Sequence, residues 1–402
     1  MIEALYTLTI AELFLGGGGR LMPVGPVTVR MILFAACMAS ALFVVRGVRH
    51  RVEGFALSLA LLAGYLLTHV PAFLIGLLHG ASLEDVFTDI QASMYWFIVP
   101  FFALALSNPR MVLRSAFLAK AAGVLLSLAY MLILVGLATG VLNFFELYET
   151  FDVYKEFVFR GESSFFLYKG FLYLGISSMF FIATQGRWHN ALLLIVLTAL
   201  VLSLTRGYVL ATSVAALAML VQLRRWRAVA FALAVCAVAG FLVWSYLPSL
   251  DEGFLTARSE SNVTRSTDIA FMIYNSTPLT LLFGEGFGSY INGRLGVENT
   301  FLYLWWKTGI FGLMFWMVPL VLCFRYYRRI PQGTAAHRLA TAFFYSVLLI
   351  YVQTATNPYL NNAIGLSFVL ISMFSLRQIA GHLTLPKTRA VTAAAVSLQP
   401  AQ

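Results

Sequence analysis

Charge is scarce in this chain. Only 11% of its 402 residues are Asp, Glu, Lys or Arg, where a soluble domain carries roughly a quarter. Cysteine is scarce too. Cys37, Cys236 and Cys323 all fall in apolar runs, so neither a disulfide framework nor a metal-ligand spacing can be read from them. No P-loop, kinase motif or nucleotide domain is present, and the activity needs no ATP that the sequence reveals. No sustained amphipathic stretch exists from which a large soluble domain could be built. The N-terminus lacks a basic region and a cleavage site, so it does not read as a signal peptide.

What fills the chain is apolar. Hydrophobic residues make up 60% of it, in long runs separated by short clusters of Arg, Gly, Pro and Asn. Runs of about 18 or more such residues read as membrane spans. They fall at about 3–16, 27–45, 55–78, 88–107, 114–138, 169–184, 190–204, 207–223, 228–247, 300–324, 340–356 and 363–380. The expected fold is therefore all-α: a polytopic integral membrane protein of about 12 transmembrane helices, forming one domain over 1–402.

The net charge of +10 does not indicate a nucleic-acid partner, because the basic residues sit in short clusters between apolar runs and act as orientation signals. With the N-terminus in the cytoplasm, alternation places sixteen basic residues inside and eight outside. The inner set includes Arg46, Arg49, Arg51, Arg224, Arg225, Arg227, Arg325, Arg328 and Arg329. All acids except Glu3, Glu12 and Glu53 fall outside. Reversal would invert the positive-inside bias. Both termini are expected in the cytoplasm, with a tail over 381–402. Two long outer loops, 139–168 and 248–299, locate the chemistry on the outer face.

Three places carry residues suited to chemistry. Arg206 stands in Ser203-Leu204-Thr205-Arg206-Gly207-Tyr208, a tight outer turn between two spans. It can be read as a snorkelling arginine or as a phosphate ligand, whose planar fork matches the oxyanion. Arg258 and Arg265 lie in the second outer loop, ahead of an apolar helix-like stretch from Ile269 to Tyr274. The turn Gly284-Glu285-Gly286-Phe287-Gly288-Ser289 follows. No strand precedes those glycines, which excludes a dinucleotide fingerprint and leaves a tight turn. Glu298 and Asn299 then lead into a span carrying Gly309-Ile310-Phe311-Gly312. Asn299 suits an N-cap, and Glu298 is favoured there by the helix dipole whatever else it does. Arg160, Lys169 and Tyr208 could touch phosphate or sugar, but solvated charges and interfacial aromatics account for them more simply. Arg30 and Lys307 lie inside spans near the outer end, where charges are costly and usually face a cavity. Lys307 falls about two turns below Glu298 and could line the same cavity.

Taken together, Arg206 in its T-R-G turn, Arg265 upstream of G-x-G-x-G, and Glu298-Asn299 before G-x-x-G resemble the O-antigen ligase and polymerase family. The resemblance covers about residues 140–325. It implies a helical membrane glycosyltransferase fold (GT-C-like) in the bacterial inner membrane, with the active site facing the periplasm. It implies no cofactor and no metal. The implied substrates are undecaprenyl-diphosphate-linked oligosaccharides joined by inverting glycosyl transfer, with membrane lipids around the site and a chain-length regulator and a flippase as partners. By position, Arg206 and Arg265 match the arginines that hold the donor diphosphate. Glu298 stands where the ligases have a histidine. A carboxylate is the weaker base, and this departure argues for a polymerase over a ligase that transfers glycan to lipid A core. A lipid-linked sugar transporter is the alternative from another class. It predicts internal repeats or intramembrane coupling acids, and Glu12 alone is a candidate.

Overall fold

The structure, a computed structural model, describes residues 1–24, 27–48, 54–153, 156–159, 166–184, 186–203, 205–230 and 252–384. These are almost wholly helical. The strands form two short antiparallel hairpins, Pro23–Val24 with Val27–Thr28 and Phe157–Phe159 with Phe166–Tyr168.

Five described helices are long and apolar enough to cross a membrane: Phe55–Leu78, Pro109–Ala138, Thr300–Tyr327, Ala335–Thr354 and Ala363–Gly381. The segments Leu83–Gln91 and Ser93–Ala105, bent by 47°, supply a sixth if they count as one span. The chain is thus a polytopic helical membrane protein. About twelve spans were expected, and five or six described ones meet the length criterion. The remainder are apolar but short. The helix His189–Leu202 has 14 residues, about 21 Å, against the ~30 Å of a hydrocarbon core. Lys169–Ala183 and Arg206–Gln222 are also short of the criterion, as is Ile2–Leu15, whereas the helix Val29–Val48 runs for 20 residues. Most of the expected span 228–247 lies outside the described residues.

Contacts sort the helix termini into two ends. At one end, Asn108 donates to Glu3 at 2.8 Å, Arg114 to Thr7 at 3.1 Å, and Gln378 to the Ser107 carbonyl at 2.7 Å. At the other, the Tyr168 hydroxyl donates to the Leu15 carbonyl at 2.5 Å, and Tyr359 donates to the Lys169 carbonyl at 3.2 Å. The second end gathers the loops that alternation assigns to the outer face.

The segment 248–299, read as a loop, is largely folded. Its residues Glu252–Asn275 form a helix of 24 residues. The sequence disguises it because polar side chains dominate its first half and no apolar stripe announces a helix. A short helix, Pro278–Phe283, follows, opened by a Thr277–Thr280 capping box.

The glycine turn after it is a wedge between two membrane helices. Gly284, Gly286 and Gly288 take φ of 83°, 87° and 81°, a region open to glycine at little cost. The helix Thr300–Tyr327 breaks at Gly309 (φ 65°, ψ −170°). The turn fills the break: Glu285 N–H donates to the Trp306 carbonyl at 2.7 Å, and Gly286 N–H to the Lys307 carbonyl at 3.2 Å. On its other side, Phe287 N–H donates to the Ala72 carbonyl at 3.0 Å, inside Phe55–Leu78. Buried backbone groups need such partners.

A Cβ on Gly286 would lie 2.2 Å from the Gly76 nitrogen, whereas one on Gly293 (φ 77°) would meet nothing within 4 Å. Gly286→Ala is therefore expected to lower stability by at least ~2 kcal/mol, and Gly293→Ala by only about 1 kcal/mol. Thermal unfolding in detergent would compare them, and equal losses would mean that the wedge is not seated as described.

Candidate active site

Arg206 opens the helix Arg206–Gln222, with Thr205 at its N-cap position. No side chain caps this end; the Thr205 hydroxyl donates instead to the Ser203 carbonyl at 3.0 Å. Arg206 is exposed. A cation at a helix N-terminus works against the helix dipole, so local stability does not account for it. An anion received there would meet both the guanidinium and the N–H groups of the first turn. Gly207 lets another segment approach closely: its Cβ would lie 2.7 Å from the Thr356 hydroxyl and 3.2 Å from the Asn357 amide nitrogen.

That segment is Ala355–Asn362, the turn between the helices Ala335–Thr354 and Ala363–Thr384. It bridges two of the sites read from sequence. On one flank it packs on Gly207. On the other, the Thr300 hydroxyl reaches Asn361 Oδ1 at 3.5 Å, next to Asn299 and Glu298. In the middle, the Tyr359 and Tyr208 hydroxyls touch, and both face the Lys169 carbonyl. Sequence reading passed over this turn. Its signal was Thr356-Asn357-Pro358 with Asn361-Asn362 between two spans, which reads as ordinary turn chemistry.

Asn299 caps Thr300–Tyr327, its Oδ1 accepting from Phe301 N–H at 3.0 Å and Leu302 N–H at 3.3 Å. Just before it, Glu298 meets Arg265. Glu298 Oε2 accepts from Arg265 Nη2 at 2.5 Å and from Nε at 2.9 Å. The two side chains are 39% and 52% exposed, Arg265 and Glu298 respectively. An ion pair this open contributes about 0.2–1 kcal/mol. One turn along the same helix, Asp268 is buried and holds Arg294, whose Nη2 donates to both carboxylate oxygens at 2.6 and 2.7 Å. Arg294 is aimed by a tight turn in which Ile291 and Arg294 exchange backbone hydrogen bonds across Asn292 (φ 50°) and Gly293, the left-handed pair that such turns require. Two ion pairs of unequal burial thus tie the helix Glu252–Asn275 to the approach of Thr300–Tyr327.

Two charges expected near substrate are used elsewhere. Lys307 has no exposed surface. Its Nζ lies 2.6 Å from Asp89 Oδ2 and also donates to the Ser289 carbonyl. Asp89 further accepts from Gly288 N–H at 2.7 Å and from the Tyr303 hydroxyl at 3.1 Å. Lys307 therefore pins the glycine wedge and offers no surface to a substrate. Arg30 pairs with Glu12 at 2.8 Å, both nearly buried. The sequence showed each charge singly but not its distant partner. Lys169 is part-exposed and stands 3.9 Å from buried Glu156, which also accepts from Gly18 N–H at 2.6 Å. Arg160 lies outside the described residues. Arg258 lies two turns before Arg265 on the same helix, but nothing of its side chain is described. Among the described residues, no group of three or more His, Cys, Asp or Glu side chains gathers as a metal site.

No family model matches the chain. It is 28% identical over 392 residues to an O-antigen polymerase of Shigella flexneri, with 94% of this chain and 97% of the relative covered. The chain is a homologue of an O-antigen polymerase. Because the similarity to that polymerase takes in nearly the whole length of both proteins, it extends well beyond the three motifs. It includes the spans that carry Arg206, Glu298 and the Ala355–Asn362 turn. In this O-antigen polymerase homologue, then, the charged residues of one bundle end fall into two groups. Arg206, Arg265, Glu298 and the polar residues Thr356, Asn357 and Asn361 of the bridging turn remain exposed or half-buried, whereas Arg30 and Lys307 are locked in buried pairs.

Proposed function

We propose that this chain polymerises polysaccharide repeat units, joining undecaprenyl-diphosphate-linked glycans at the periplasmic face of the bacterial inner membrane. The end-to-end similarity to an O-antigen polymerase carries this reading. Both termini lie in the cytoplasm, and the shorter apolar helices bring the crossings to about twelve, following the charge alternation.

The depth of Arg206 supports its role. The hairpin formed by His189–Leu202 and Arg206–Gln222 has arms of 14 and 17 residues, reaching about 21–26 Å. Its far ends carry Arg187, Arg224 and Arg225, which belong at the cytoplasmic boundary. The Arg206 turn then stops a few ångströms short of the outer boundary of a ~30 Å core, from where a snorkelling guanidinium reaches the interface that holds a lipid-borne diphosphate.

In the reaction, an acceptor sugar hydroxyl attacks the anomeric carbon of the donor glycan. Glu298 takes the hydroxyl proton. The bond from that carbon to the diphosphate oxygen breaks, and its electron pair leaves with the polyprenyl diphosphate. Arg206 and Arg265, rather than a metal ion, meet the growing negative charge, an effect that accelerates the step because it strengthens in the transition state. One displacement inverts the anomeric carbon. Glu12 and Asp89, the buried or nearly buried acids within candidate spans among the described residues, are occupied by Arg30 and Lys307, which weakens the transport reading.

The test is reconstitution in nanodiscs with a lipid-diphosphate-linked repeat unit as the only sugar. A ladder of product lengths is expected. Product that forms only after lipid A core is added would make the chain a ligase. Silence with both acceptors, from folded protein and authentic donor, would overturn glycosyl transfer.

A further inference from the structure

The ion pair between Arg265 and Glu298 poses a difficulty for the mechanism. The two residues assigned opposite tasks, one toward diphosphate and one toward a proton, are bonded to each other. Both donors fall on one oxygen of the carboxylate, Oε2. We propose that the pair is an exchangeable clasp: the donor diphosphate takes Arg265 from Glu298, and the released carboxylate becomes the base. This deepens the polymerase reading and rests on it.

Three observations carry the exchange. The pair is open to water, at 39% and 52% exposure, and such pairs are weak and readily replaced. A diphosphate offers more charge and more acceptor oxygens than one carboxylate, and the guanidinium fork matches it. Finally, the neighbouring Asp268–Arg294 pair is anchored by a buried carboxylate. It holds the helix Glu252–Asn275 in place while Arg265, one turn away, changes partner. Glu298 stays in position after release because Asn299 is fixed as the cap of the next helix. Asp268 and Arg294 are thus positioning residues, and the base is withheld until a donor is bound.

Binding measurements separate this idea from the reading beneath it. The probe is undecaprenyl diphosphate in nanodiscs, with undecaprenol as the control lacking phosphate. Glu298→Gln removes the competing charge with little change in shape. It is expected to bind the diphosphate roughly threefold to tenfold more tightly than wild type, while forming no polymer. Arg265→Ala is expected to lose that gain in the double variant with Glu298→Gln. Equal or weaker binding by Glu298→Gln, with wild type binding the diphosphate, would overturn the exchange and leave the transferase standing. If neither protein distinguishes undecaprenyl diphosphate from undecaprenol, the donor reading fails and the exchange with it. Arg294→Lys is expected to raise KM for the donor more than it lowers kcat, and an unchanged KM would remove the positioning role.

Discussion

Arg206→Ala is expected to leave a folded helical protein that extends chains ~10²–10³-fold more slowly. The residue is exposed and makes none of the described hydrogen bonds or ion pairs, so its removal leaves no buried partner unsatisfied. As a cation at a helix N-terminus it is, if anything, unfavourable to folding. In the proposed reaction its contribution falls in the transition state, where charge accumulates on the departing diphosphate. Loss of one such donor typically costs ~10²–10³ in rate. Arg206→Lys keeps the charge but loses the planar fork and should recover only a small part of it. Initial rates of chain extension, beside thermal unfolding in the same detergent, would check both statements. A rate within about tenfold of wild type would remove Arg206 from the site.

Lys307→Ala has the opposite character: the protein is expected to fail before activity can be measured. Asp89 would keep its hydrogen bonds from Tyr303 and Gly288 but lose its buried counter-ion. Stranding a buried charge costs about 3–5 kcal/mol, a large share of the ~5–15 kcal/mol that holds a typical domain together. The glycine wedge would loosen with it, since Lys307 also holds the Ser289 carbonyl. The pair Asp89→Asn with Lys307→Met removes both charges; the Asn oxygen can accept from Gly288 N–H while its amide N–H donates to the Tyr303 hydroxyl oxygen. It should restore most of the folded yield. Equal loss in the single and the paired variants would show that the ammonium does more than neutralise Asp89.

Sequence and structure agree best where the membrane imposes the pattern. The span 55–78 was read with the bounds that the structure shows, Phe55–Leu78, because a continuous apolar run ends there at Gly54 and at His79-Gly80. The polar helix Glu252–Asn275 was read as loop, since its register is set by Asp268 and Arg265 reaching across to Arg294 and Glu298. No stripe of apolar residues marks it. Arg265 and Glu298 were each singled out, but their contact spans 33 residues of chain and depends on how the glycine wedge folds the intervening segment. Lys307 and Arg30 were recognised as intramembrane charges. Their partners Asp89 and Glu12 could not be assigned, because a sequence records charge without recording which helices are neighbours. The Ala355–Asn362 turn matters only through what it bridges, and that too is tertiary information.

The central claim is that a lipid-borne diphosphate is received between the Arg206 turn and the Arg265–Glu298 pair. The most direct measurement is photo-crosslinking with undecaprenyl diphosphate that carries a diazirine beside the diphosphate, with adducts mapped by mass spectrometry. The account predicts adducts on the first turn of Arg206–Gln222, on Ala355–Asn362 and around Arg265 and Glu298. Adducts confined to the opposite end of the bundle, near Arg110, Arg114 and Arg325, would contradict it.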